Sequence, residues 1–357
     1  MKDIVKIIFA MLCVGALVPA GMTSCTDMGG DGVDSVIWNG SQNPDNTSFH
    51  NPVIEPSLEA GTVVKGASSF VAVSTTTQWA KGVTNYCPTL STTNLMNWTV
   101  ANDAFDATAL PAWNAGRVNS LSIDYARAIT GATYWMFYTL EGANSIGVAT
   151  ATTAQGPYTD RGEFITAADI SSQKISDPYF FVVGTKYYLC YTADDGSYLQ
   201  PVKLNKTSGA SLNGARVKVT DAQFSDIAIL RKDANTFYLA GTVNVGGVKE
   251  IRYAKASAAT GPFLDKSGND LVNGSTGELL VKAGDGYINP ENPMRGFNNS
   301  AESHLYLAYN ATEAGKDQMS SGYARRPMFI TPIEYDTDGW FKNAVTAEKG
   351  WATPRYE

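Results

Sequence analysis

The stretch Ile175-Ser-Asp-Pro-Tyr-Phe-Phe-Val-Val-Gly-Thr-Lys-Tyr-Tyr-Leu-Cys-Tyr191 decides the fold. Phe180–Val183 and Tyr187–Tyr191 are β-branched or aromatic runs, and Gly184-Thr185 parts them, which predicts a tight hairpin. Asp177 stands just before the first run and Pro178 follows it. An acid is therefore held at the hairpin's mouth.

The phrase recurs along the chain. Ala128-Ile-Thr-Gly-Ala-Thr-Tyr-Trp-Met-Phe-Tyr138 repeats it, with Asp124 ten residues before Tyr134 as Asp177 is ten before Tyr187. Further copies are Ile229–Leu239, His304–Tyr309 and a weaker Val63–Val73. A second repeat, Gly156-Pro-Tyr-Thr-Asp160 against Gly261-Pro-Phe-Leu-Asp265, is spaced by 105 residues, or two units. A four-stranded blade consumes about that much chain per unit, so the sequence predicts an all-β, five-bladed β-propeller. A β-sandwich would not repeat one phrase five times. Asp160 and Asp265 follow Gly-Pro in both copies and read as turn residues.

Residues 1–24 carry Lys2 and Lys6 ahead of a short apolar run, the pattern of a secretory signal. Met22-Thr-Ser-Cys25 resembles a bacterial lipoprotein cleavage box, so Cys25 is expected to be lipidated and to anchor the protein to a membrane outside the cytoplasm. Residues 25–50, rich in Gly, Asp, Asn and Ser, read as a flexible tether, and 51–357 as the propeller. The formal net charge of −7, without a basic cluster, speaks against nucleic acid as a partner. Cys87 and Cys190 fall in different repeats and read as buried thiols. With only two His in the chain, no metal-type spacing exists. No cofactor is expected.

Taken together, Asn51-Pro-Val-Ile-Glu-Pro-Ser57, Leu95-Met-Asn-Trp98, Ile175-Ser-Asp-Pro-Tyr-Phe180, the two Gly-Pro turns, Arg326-Pro-Met-Phe-Ile330 and Asp338-Gly-Trp340 resemble glycoside hydrolase family 43, from about Asn51 to Trp340. The resemblance implies hydrolysis of arabinose- or xylose-containing polysaccharide by an inverting, carboxylate-based reaction. It also implies a base in blade one, an acid in blade four, and in blade three an Asp that tunes the acid. Such a base and acid stand roughly 6.5–9.5 Å apart to admit water.

Carried over residue by residue, Asp177 falls on the blade-three Asp and Glu55 where the family carries the base. In blade four, where the resemblance implies a Glu as the acid, Ser225 of Phe224-Ser-Asp-Ile227 takes its place. A hydroxyl cannot serve as a general acid near neutral pH. Asp226 is adjacent but, in a regular strand, points the other way, and only a bulge would re-aim it. Glu291 is a further candidate acid. Gly284-Asp-Gly-Tyr287 stands where many relatives carry Gly-x-Gly-His, so Tyr287 argues against a central calcium. Trp113 and Asp124 are the nearest equivalents of the relatives' Trp-Ala-Pro-Asp. Trp79, Trp113 and Tyr125 are aromatic candidates for stacking on a sugar's C–H face. Glu55, Asp124, Asp177 and Ser225/Asp226 are expected to line one mouth of the channel. Two functions follow: a glycosidase with a degenerate acid, or a catalytically silent propeller that binds glycan at the cell surface.

Overall fold

The computed structural model describes residues 49–352, apart from 96, 128–133, 206, 285, 295–296 and 299–304. The signal, Cys25 and most of the tether therefore lie outside the described residues.

Five antiparallel sheets follow one another along the chain. Blade one pairs Thr62–Lys65, Phe70–Val73, Pro88–Thr92 and Thr99–Asp103, with a small hairpin, Thr77–Ala80 and Val83–Asn85, inserted before its third strand. Blade two runs from Val118–Tyr125 to Thr159–Thr166, and blade three from Ser176–Val183 to Gly209–Leu212. Blade four runs from Phe224–Arg231 to Glu278–Ala283. Blade five is built on Tyr287–Glu291, Leu305–Glu313 and Met328–Ile333. The first strands of blades one to four touch in succession around the axis. The five-bladed propeller expected from the repeats is the observed fold.

The predicted hairpin closes as read, with Val183 opposite Lys186. Middle strands such as Tyr134–Leu140 are buried along their whole length, because neighbouring blades cover both faces. Outer strands such as Thr99–Asp103 are largely exposed. The core consequently forms as slabs between blades. Phe137, Phe180, Leu189 and Tyr191 fill the slab between blades two and three, with the Phe137 and Phe180 ring centroids 4.9 Å apart. Deleting one such ring would cost about 3–5 kcal/mol. Cys87 and Cys190 are free and buried, as expected.

Segments from both ends of the described chain close the ring. The extended segment 51–54 lies along blade five's last strand: Val53 N–H donates to Met328 O (2.8 Å) and Met328 N–H to Ile54 O (3.0 Å). Asn51 exchanges two side-chain hydrogen bonds with Ile330. Phe49–Asn51 pairs with Gly350–Ala352. The later end of the chain docks on blade four, where Val345–Ala347 runs parallel to the outer strand. There the Phe341 ring packs on Tyr238 and Tyr253.

Candidate active site

The innermost strands run between two openings. At their starts is a narrow pocket of about 20 Å³, lined by Gly61 and Thr62, Ser120 to Ser122, Asp177 to Tyr179, Asp226 and Ile227, and Asn292 to Met294. At their far ends is a cavity of about 810 Å³, whose lining includes Lys65, Asp124, Tyr125, Arg127, Val183 and Arg231. Asp177 and Asp226 meet at the narrow end, which makes it the candidate site.

Asp177 and Asp226 reach it by the same local device. Each follows a serine, Ser176 or Ser225, and each has a left-handed backbone, φ 53° and 47°. In each blade the pairing register shifts at that point, between Ser176 and Tyr179 and between Ser225 and Ala228. Asp tolerates this backbone better than most residues because its short polar side chain bonds locally. Here that bond comes from the preceding serine: Ser176 Oγ donates to Asp177 Oδ2 (2.9 Å) and Ser225 Oγ to Asp226 Oδ2 (3.1 Å). The bulge that Asp226 needs in order to face the channel is present, and Ser225 is its hydrogen-bond partner.

The two carboxyls are electrostatically linked. Both open onto the pocket, while the atoms packed around them strip away water. Desolvation pushes Asp226 up to about 7, and the nearby charges of Asp177 and Glu291 push the same way, against the Ser225 hydrogen bond and Lys249. Asp177 is also raised, by desolvation first, but bonds from Ser176 and from the Asp226 backbone N–H, together with Lys174, oppose the rise. Two acids so close do not ionise together readily. The pair therefore holds a proton to higher pH than a lone exposed carboxyl would.

Other sequence candidates lie elsewhere. Glu55 is held by Arg325, whose Nη2 is 3.1 Å from both Glu55 Oε1 and Glu313 Oε2. That ion cluster joins the 51–54 segment to blade five and does not line the narrow pocket. Glu291 is clamped between Lys249 and Arg326, the latter at 2.7 Å, which removes it as a proton donor. Asp124 does not join Asp177: it accepts from the N–H groups of Tyr125 (2.7 Å) and Val182 (2.9 Å) beside the wide cavity. The reason is loop length, since blade two joins its first strands through residues 126–133 and blade three through 184–185 alone. Equal counts back from the second strand thus end at opposite mouths. Tyr125 goes with Asp124, packed 5.1 Å from Tyr134.

Trp113 is taken up by packing between blades, donating from Nε1 to Tyr138 Oη (2.9 Å). Trp79 is buried, with Nε1 on Ser57 O (3.0 Å). Tyr287 packs edge-on against Phe329 and its hydroxyl bonds Glu55, so it offers no ligand toward the axis. Among the described residues no group of three or more His, Cys, Asp or Glu is placed to hold a metal ion. Asp160 and Asp265 cap their turns, accepting from Gly162 N–H and from Ser267 and Asn269 N–H.

A residue that the sequence reading passed over lies at this end of blade one. Glu59 is two positions before the pocket-lining Gly61 and is partly buried. Desolvation raises its carboxyl, Arg326 and Arg117 lower it, and Glu291 raises it again. Glu291 thus acts on both Glu59 and Asp226.

A five-bladed propeller with two carboxyls at the start of its inner strands suits acid–base cleavage of a glycosidic bond. The sequence profile of glycosyl hydrolases family 43 matches residues 49–341, and the chain belongs to that family. It is 24% identical over 276 residues to the extracellular endo-α-(1→5)-L-arabinanase 1 of Bacillus subtilis, covering 72% of this chain and 78% of that protein. It is 27% identical over 208 residues to the probable arabinan endo-1,5-α-L-arabinosidase C of Aspergillus clavatus, covering 52% of this chain and 64% of that protein. Among solved structures, the α-L-arabinanase of Cellvibrio cellulosa complexed with arabinohexaose superposes with a TM-score of 0.64 at 17% identity. That match covers 80% of this chain and 94% of the other. An exo-1,5-α-L-arabinanase from a bovine ruminal metagenomic library gives 0.62 at 15% identity, over 80% and 95%.

Proposed function

We propose that this family 43 member hydrolyses α-1,5-linked L-arabinan or its oligosaccharides with inversion, Asp226 donating the proton to the leaving oxygen and Asp177 holding Asp226 protonated. The observation that carries this reading is the duplicated Ser-Asp device, which aims two coupled carboxyls into one pocket and keeps Asp226 protonated up to about 7. A general acid works best with its pKa near the working pH. The acid is therefore an Asp one methylene shorter than the Glu the resemblance implied, and Ser225 supports it. The names of the two curated relatives favour arabinan as the polymer.

The silent glycan-binding reading keeps one observation in its favour: where blade one's inner strand meets the pocket, the left-handed residue is Ala60, φ 41°, which carries no acid. The deciding experiment incubates the protein with linear arabinan and arabino-oligosaccharides, follows reducing ends and product configuration, and repeats this with Asp226→Asn. Release of inverted product that Asp226→Asn abolishes supports the glycosidase. Binding without release would favour the silent propeller. For localisation, the reading keeps Cys25 as a lipid anchor placing the propeller at the cell envelope. Among the described residues no helix is long and apolar enough to cross a membrane.

A further inference from the structure

Four blades place one left-handed residue where the inner strand meets the narrow pocket: Ala60 (φ 41°), Asp177 (φ 53°), Asp226 (φ 47°) and Asn292 (φ 51°). Each is followed by a pocket-lining residue, Gly61, Pro178, Ile227 or Pro293. The set therefore offers a methyl, two carboxyls and a carboxamide. Nothing in it can take the proton of an attacking water while Asp226 gives one up and Asp177 serves Asp226. We infer that Glu59, the neighbour of Ala60, is the base that activates water in this chain, an inference that rests on the hydrolytic reading above.

The rival acids are occupied. Glu55 is tied to Arg325 and Tyr287, and Glu291 to Lys249 and Arg326. The Glu59 carboxylate is partly buried and makes no hydrogen bond or close ion pair among the described residues, which leaves its lone pairs available. Its backbone, by contrast, is fixed, because Thr75 N–H and Oγ1 both donate to the Glu59 carbonyl (3.2 and 3.0 Å). Desolvation leaves its carboxyl above the ordinary range, and Arg326 and Arg117, acting from a distance, oppose that rise in favour of the ionised form a base requires. In the step itself the water oxygen bonds to the anomeric carbon as the glycosidic C–O bond breaks. The water's proton passes to Glu59, the bonding pair leaves with the departing oxygen, and that oxygen takes the proton of Asp226. Exchange with solvent then restores both acids.

The test uses an aryl α-L-arabinofuranoside and an arabino-oligosaccharide with Glu59→Gln, Ala60→Asp and the double variant. Asp is favoured over Ala in a left-handed backbone, so Ala60→Asp is compatible with the fold. Glu59→Gln is expected to lower kcat by about 10²–10⁴-fold with little change in KM, and to remove the acid limb of the pH profile. Adding Ala60→Asp to it should restore activity. A Glu59→Gln enzyme with wild-type rate and an intact acid limb overturns the inference and leaves Asp226 as the acid. An inert wild type made active by Ala60→Asp also overturns it, while the rest of the site reading stands. If wild type and Ala60→Asp both bind oligosaccharide by calorimetry and neither cleaves it, the hydrolytic reading fails and the inference falls with it.

Discussion

Replacing Asp226 by Asn tests the proton on this carboxyl without relying on turnover. In the folded protein its pKa is pushed to about 7 from an ordinary 3.8. The sign follows from linkage: a carboxyl raised on folding binds more protons in the folded state between those values, so wild-type stability falls as pH rises through that window. A shift of that size corresponds to about 4 kcal/mol, an upper value because Asp177 titrates with it. Asn carries no charge and can still accept from Ser225 Oγ. The variant should match wild type near pH 4, gain on it as pH rises, and hold a constant advantage above about pH 7. At roughly 2 cal/mol/K of unfolding entropy per residue over roughly 300 residues, 4 kcal/mol amounts to about 7 °C in Tm. Thermal melts of both proteins from pH 4 to 9 measure this directly. A Tm difference that stays flat with pH, or that favours wild type at pH 8, would refute a protonated Asp226.

Ser225→Ala removes the bond that lowers Asp226 (3.1 Å). The alkaline limb of kcat/KM should therefore move to higher pH, and a limb that moves down or stays put argues against Asp226 as the acid. Glu55→Gln breaks one arm of the Arg325 cluster; the expected result is unchanged kcat and a loss of about 1 kcal/mol, read by turnover and urea unfolding. Cys87 and Cys190 are buried, and burial pushes both thiols far up. Native protein should leave both unmodified by a thiol reagent, which then reacts with them in denaturant. Cys25→Ala should move the protein from the membrane to the soluble fraction of the native cell, and a wild type already soluble would remove the anchor.

The propeller was legible because its evidence is repeated. Each hairpin phrase is weak alone, but a phrase recurring at blade spacing admits few other architectures. The acids were harder to place because their positions depend on single-residue irregularities. Strand alternation assigns Ser225 and Asp226 to opposite faces, and the left-handed Asp226 reverses that assignment. The repeated Ser-Asp of Ser176-Asp177 and Ser225-Asp226 was the available signal. In blade one, the family motif drew attention to Glu55, yet residues 51–54 belong structurally to blade five. Counting back from the hairpin at Lys65 and Phe70, as in blade three, leads instead to Glu59 and Ala60. Asp124 shows the opposite error, a matching count spent on a longer connection.

The closure through Phe49–Asn51 and Gly350–Ala352 also bears on how the molecule can be re-cut. These two segments are paired neighbours, so a short Gly-Ser bridge could join them into a continuous circle. New ends could then be opened at an exposed surface turn such as Gly246-Gly247, on the blade that carries Asp226. Such a permutant would keep every blade while changing which one is synthesised last. It would separate the order of synthesis from the order of assembly, two sequences of events that the natural chain always performs together.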